Sequence, residues 1–195
     1  LFTRGIHDRL QKVSGPFDVW SEAPDENSPA QLKGSTQMKT FTQVHVAISL
    51  VAIASGLIVM FGLLARKRLD RWTALFLSTT VLTSVTGFFF PFHGLTPAIT
   101  VGIISMLVLA LALFARYARH LISPWRGIYV ITAMLALYLN VFVLIVQSFQ
   151  KVPFLRALAP TQTEPPFLVA QVVVLVLFVV LSIAAAIRFR VATAA

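Results

Sequence analysis

The chain contains no cysteine, which excludes disulfides, thiolate metal sites, iron–sulfur clusters and cysteine nucleophiles. Acidic residues are almost as scarce: Asp and Glu total 7 in 195 residues, and beyond Glu26 only Asp70 and Glu164 remain. Neither lies inside a long apolar block. The intramembrane carboxylate of a proton-coupled transporter is therefore missing, and paired acid–base catalysis has little to work with. There is no Gly-rich phosphate loop and no His-Glu-x-x-His zinc helix. Chemistry, where it exists, falls to imidazole, carboxamide and hydroxyl groups or to the few carboxylates.

What the sequence does contain is hydrocarbon. It is 57% hydrophobic and only 12% charged, against about 25% charge in soluble domains. Five apolar blocks run Phe41–Leu64, Trp72–Phe92, Ala98–Tyr117, Gly127–Ser148 and Phe167–Ile187. Each has about the 20 residues that an α-helix needs to cross a bilayer, and none holds an Asp or Glu. The expectation is an all-α, polytopic transmembrane bundle of five spans over residues 41–190, followed by a short tail over 191–195. The formal charge of +9 sits at the block ends, where it faces lipid headgroups, and no soluble basic face is left for nucleic acid.

Charge also orients the bundle. Arg66-Lys67-Arg68 and Arg71 crowd the first connector, whereas the second, around His93-Gly94-Leu95-Thr96-Pro97, has no Lys or Arg. Arg116, Arg119 and Arg126 mark the third connector, Lys151 and Arg156 the weaker fourth, and Arg188 with Arg190 the end of the last block. The positive-inside rule then places the first and third connectors and the C-terminus in the cytoplasm, and the N-terminus outside. Residues 1–40, with Ser21-Glu22-Ala23-Pro24-Asp25-Glu26-Asn27-Ser28-Pro29 at their centre, read as a polar, disordered tail. Met38-Lys39-Thr40 stands like an initiation site before the first block. Leu1–Gln37 therefore reads as an overextended gene start or as a tail of variable length, unless Leu1 is a misread alternative start.

Lipid cannot satisfy a buried polar group, so polar side chains within the spans are the candidate site. His45, His93, Asn140, Gln147 and Gln171, with Gln43, fall in the outer leaflet under this topology, beneath a proline-rich connector bearing Gln162 and Glu164. That connector is either an ordered cap or a floppy loop. The expected ligand-binding set is His45, His93, Asn140, Gln147, Gln171 and Glu164. Small and hydroxyl residues on the stripes His45-Ser49-Ala52-Gly56 and Thr79-Thr83-Thr86 share helix faces with it, and helix packing alone would also account for them. No catalytic residue and no metal site are expected.

The run Leu139-Asn140-Val141-Phe142-Val143-Leu144-Ile145-Val146-Gln147, followed by Ala159-Pro160-Thr161-Gln162-Thr163-Glu164-Pro165-Pro166-Phe167, resembles small uncharacterised inner-membrane proteins of Gram-negative bacteria. The resemblance implies an inner-membrane location and no activity. The leading expectation is a non-enzymatic protein that binds a small ligand, a lipid or a partner membrane subunit in its outer-leaflet pocket. One alternative is a haem- or quinone-binding electron-transfer subunit, with b-type haem between His45 and His93. The other is a solute channel or transporter.

The topology is directly testable. A fluorescent protein that matures only in the cytoplasm, fused after Ala195, is expected to be bright, and alkaline phosphatase fused at Gln162 active; a dark C-terminal fusion with inactive phosphatase would invert the orientation.

Overall fold

The computed structural model describes residues 29–90, 97–122 and 124–191, and every element among them is helical. In chain order these are α1 (Pro29–Leu64), α2 (Asp70–Gly87), α3 (Pro97–Leu113, continued by a π turn over Phe114–Ala118), α4 (Pro124–Lys151), the short α5 (Pro153–Leu158) and α6 (Pro165–Val191). Among the described residues four segments are long and apolar enough to cross a membrane: Leu32–Leu64, Ile99–Ala118, Pro124–Lys151 and Pro165–Phe189. They make this a membrane protein. The second expected span is represented by α2, whose 18 described residues open on Asp70-Arg71 and include five threonines and two serines; it is not among the four. The helix ends at Gly87, short of the expected Phe92: Phe88–Phe90 form a turn, with Phe88 N–H donating to Val85 O and Phe89 N–H to Thr86 O, both at 3.1 Å, while Pro91, Phe92 and His93 lie outside the described residues.

The first helix differs from expectation at its start. It begins at Pro29, ahead of Phe41, so the expected polar tail is helical from Pro29 onward, while residues 1–28 lie outside the described residues. Once a helix is nucleated each further turn costs little, and Thr36 and Thr40 return their hydroxyls to the carbonyls of Leu32 and Thr36. Contacts divide the chain after Gln43, and the helical bundle is built from Val44 onward.

There α4 is central. Tyr129, Val130, Ala133, Met134, Ala136 and Leu137 are all buried, a broad stripe at helical spacing. It packs on α3 and α6, with Phe114 against Trp125 and Tyr138 against Phe178 as ring pairs. Leu109, Ala112 and Ala115 from α3, Phe178, Ala185 and Phe189 from α6, and Val59, Met60 and Leu63 from α1 complete the core. The outward faces remain apolar: Val172, Val173, Val176, Val180 and Ile183 of α6 are each 56–58% exposed. Exposed apolar faces of that kind mark contact with a membrane or with another protein.

Helix α2 runs antiparallel to both neighbours. Its Asp70 meets Arg116 of α3 at one end, and Phe88, just past its last turn, lies over Gly102 of α3 at the other. Phe76 lies over Gly56 of α1, where a Cβ would stand 2.8 Å from the ring and 2.5 Å from Leu137 Cδ1. A Cβ there would force the Leu137 and Phe76 side chains to shift.

The connectors after α1 and α3 turn on non-glycine residues. After α1, Lys67 N–H donates to Gly62 O at 2.8 Å and Arg66 N–H to Leu63 O at 3.2 Å, with Arg66 at φ 60°. This is a Schellman cap with arginine where glycine is usual, at a cost of about 1 kcal/mol. After α3, His120 and Leu121 also take positive φ, and Leu121 is 4% exposed, so its burial, worth about 2 kcal/mol, offsets the strain.

Gly56→Ala is expected to destabilise the bundle by about 1–3 kcal/mol, because Leu137 and Phe76 are too buried to yield. Thermal unfolding in detergent checks this, with Gly34→Ala, whose Cβ would meet nothing within 4 Å, as the neutral control.

Candidate functional site

The threonines of α2 decide where polar groups meet. Thr80 and Thr86 each return their hydroxyl proton to the preceding turn, to Phe76 O and Leu82 O, both at 2.7 Å. A hydroxyl has one proton and two lone pairs, so each oxygen is left as an acceptor facing sideways. Asn140 Nδ2 of α4 donates to Thr80 Oγ1 at 3.3 Å. His45 Nδ1 of α1 lies 2.8 Å from Thr86 Oγ1. Because the Thr86 proton is engaged with its own helix, His45 is assigned as the Nδ1–H tautomer, which leaves Nε2 with its lone pair.

The imidazole is half-buried, lies beside Gly87, and meets Phe90 edge-on with centroids 5.1 Å apart. Between the two pairs, one turn from each, the buried Thr83 hydroxyl has no hydrogen-bond partner. Thr80, Thr83 and Thr86 thus form a hydroxyl seam about 9 Å long along the helix axis, with Asn140 at one end and His45 at the other.

The remaining expected residues lie elsewhere. Gln147, two turns beyond Asn140 on α4, is exposed; the helix face continues, but α2 ends at Gly87 and supplies no hydroxyl there. Gln171 is 9% exposed and serves a different contact, donating from Nε2 to Phe142 O at 3.4 Å while its Oε1 has no partner. His93 lies outside the described residues. Gln43 falls on the other side of the division in the chain and is exposed.

Glu164 belongs to its own loop. Its Oε1 accepts from Thr161 N–H at 3.1 Å and Thr161 Oγ1 at 2.9 Å, and its Oε2 accepts from Thr163 N–H at 3.0 Å. Desolvation opposes the charge, but these bonds outweigh it and hold the carboxyl below its ordinary pKa. The loop is an ordered cap: Gln162 Nε2 donates to Val146 O at 3.0 Å, Ala159 is fully buried, and Phe149 stacks edge-on with Phe167. Burial of apolar groups beneath it, which proline density does not reveal, settles that choice.

Sequence reasoning missed the other end of the bundle. The π turn in α3 brings Arg116 to Asp70 at 2.5 Å and over the rings of Tyr117 and Tyr129. The one available signal was Asp70, the only acidic residue between Glu26 and Glu164, placed among cations. Among the described residues no three His, Asp or Glu side chains gather to hold a metal. For a haem, His45 has the required tautomer, and no second axial histidine is brought to it among the described residues. No family model, curated protein or solved structure matches this chain.

Two isosteric substitutions separate the seam's roles. Thr80→Val leaves Asn140 unpaired and is expected to lower stability by about 0.6 kcal/mol or more, whereas Thr83→Val removes a hydroxyl that bonds to nothing and is expected to be neutral or stabilising. Unfolding of both variants in detergent checks the contrast.

Proposed function

We propose that this protein spans a bacterial cytoplasmic membrane five times, N-terminus outside and C-terminus in the cytoplasm. Its role is to bind a neutral, lipid-soluble molecule bearing a hydroxyl group. The topology draws on α2, which lies alongside α3 from Asp70–Arg116 to Phe88–Gly102 and so travels the depth of its neighbours. It draws also on the cations gathered at the connectors assigned to the cytoplasm.

The binding reading rests on one observation: His45 is fixed by Thr86 with Nε2 open, and a partnerless Thr83 hydroxyl sits one turn away. An imidazole nitrogen that accepts and a hydroxyl that donates make a pair complementary to an alcohol or a quinol. In hydrocarbon such a pair discriminates, because a ligand lacking the hydroxyl leaves both groups unsatisfied. Among the described residues the seam has no carboxylate and no second base, which favours binding over turnover.

The haem-bearing alternative draws on the same Nε2 atom, so one preparation tests both. The full chain and His45→Ala, purified from their own membranes, are compared by absorbance and by mass spectrometry of the organic extract. The expected result is a colourless protein that carries a hydroxyl-bearing molecule which the variant loses. A Soret band lost in the variant would replace this reading with electron transfer, and identical colourless extracts would refute both.

A further inference from the structure

At the end of the bundle away from the hydroxyl seam, α1, α2, α3, α4 and α6 converge on a small cavity of about 10 Å³, bordered by Lys67, Arg68, Thr73, Arg116, Tyr129 and Phe189. That is room for roughly one water-sized atom. Tyr129 is 1% exposed, and its hydroxyl lies beside Thr73 and Arg116 without closing a hydrogen bond of good geometry to either. The Arg116 side chain is 9% exposed and directed by Asp70, while Lys67 and Arg68 are exposed at the mouth. Three cations and two hydroxyls thus surround the opening against one carboxylate, Asp70, which pairs with Arg116 and lies 3.9 Å from Arg68; Lys67 has no such partner among the described residues, and three positive charges exceed one negative.

The place of this cavity in the fold identifies what it meets. It lies where the apolar segments end, at Leu64, Ala118, Pro124 and Phe189, and so at the level of lipid headgroups. The turn that presents Lys67 and Arg68 is held by Arg66 at φ 60°, a conformation that glycine would take without cost.

We propose that this end of the bundle is a specific site for a phosphate oxyanion, that of an anionic phospholipid headgroup. One phosphate oxygen enters the cavity to accept from Tyr129 and Arg116, and the rest of the phosphate lies between Lys67 and Arg68. The site is independent of the His45 seam and stands or falls separately from it.

The test uses the full-length protein in zwitterionic detergent, with native mass spectrometry reading retained lipid. The probes are phosphatidylglycerol, phosphatidylcholine and inorganic phosphate, applied to wild type, Tyr129→Phe and Lys67→Gln/Arg68→Gln. Wild type is expected to retain phosphatidylglycerol over phosphatidylcholine, with retention falling about tenfold in the double variant and severalfold in Tyr129→Phe, which keeps every charge. Stabilisation by millimolar inorganic phosphate alone, equally sensitive to Tyr129→Phe, would keep the oxyanion site but assign it to free phosphate. Equal retention of both lipids, or retention unchanged by Tyr129→Phe, would overturn the proposal and leave an ordered water as the cavity's occupant.

Discussion

Hydrocarbon cannot accept or donate a hydrogen bond, and the arrangement of α2 follows from that constraint. A helix with five threonines, two serines and a leading Asp-Arg is a poor solute in lipid by itself. The hydroxyls of Thr79, Thr80 and Thr86 therefore return protons to their own backbone, and the oxygens of Thr86 and Thr80 accept from α1 and α4. Its Asp70 finds Arg116. The four strongly apolar segments can afford wide exposed faces because they give lipid nothing it cannot solvate; α2 relies on its neighbours.

That dependence explains the distribution of small and large residues. Gly56 and Gly102 stand where aromatic side chains at either end of α2 press on α1 and α3, and bulk at Phe76, Leu77, Tyr129 and Leu137 fills the space between helices. The two ends differ in chemistry for the same reason. Toward Thr86 the neighbours offer neutral donors and acceptors, whereas toward Asp70 they offer guanidinium, ammonium and phenol. A neutral ligand suits the first and an anion the second.

Fold class was legible from hydrophobic runs, since a stretch such as Val172–Val180 leaves no other solvent for itself, and the boundaries of α3, α4 and α6 lie within a few residues of those expected. The start of α1 was not, because helix propagation past Phe41 leaves no mark in polar sequence. Periodicity placed Thr79, Thr83 and Thr86 on one face and the charge pattern put His45 in the outer leaflet, but neither could say that Thr86 would meet His45 or that Thr80 rather than Thr83 would meet Asn140. Nor could it separate Gln147 from Asn140, since both share a face and only the end of α2 distinguishes them. Glu164 reads from sequence as a candidate ligand-binding residue; its loop geometry, set by tertiary burial of Ala159 and Phe167, engages both carboxylate oxygens instead. The Arg116 site depends on a π turn that no spacing announces.

The central claim is that α2 crosses the bilayer with its hydroxyls turned to the bundle. The native absence of cysteine makes the decisive measurement simple: single cysteines at Arg71, Thr83 and Phe89, probed with a membrane-impermeant maleimide in intact cells and in inverted vesicles. The account predicts labelling of Arg71→Cys only from the cytoplasmic side, of Phe89→Cys only from the outside, and of Thr83→Cys from neither. Labelling of Arg71→Cys and Phe89→Cys from the same side would contradict it, making α2 a re-entrant element and the bundle one of four spans.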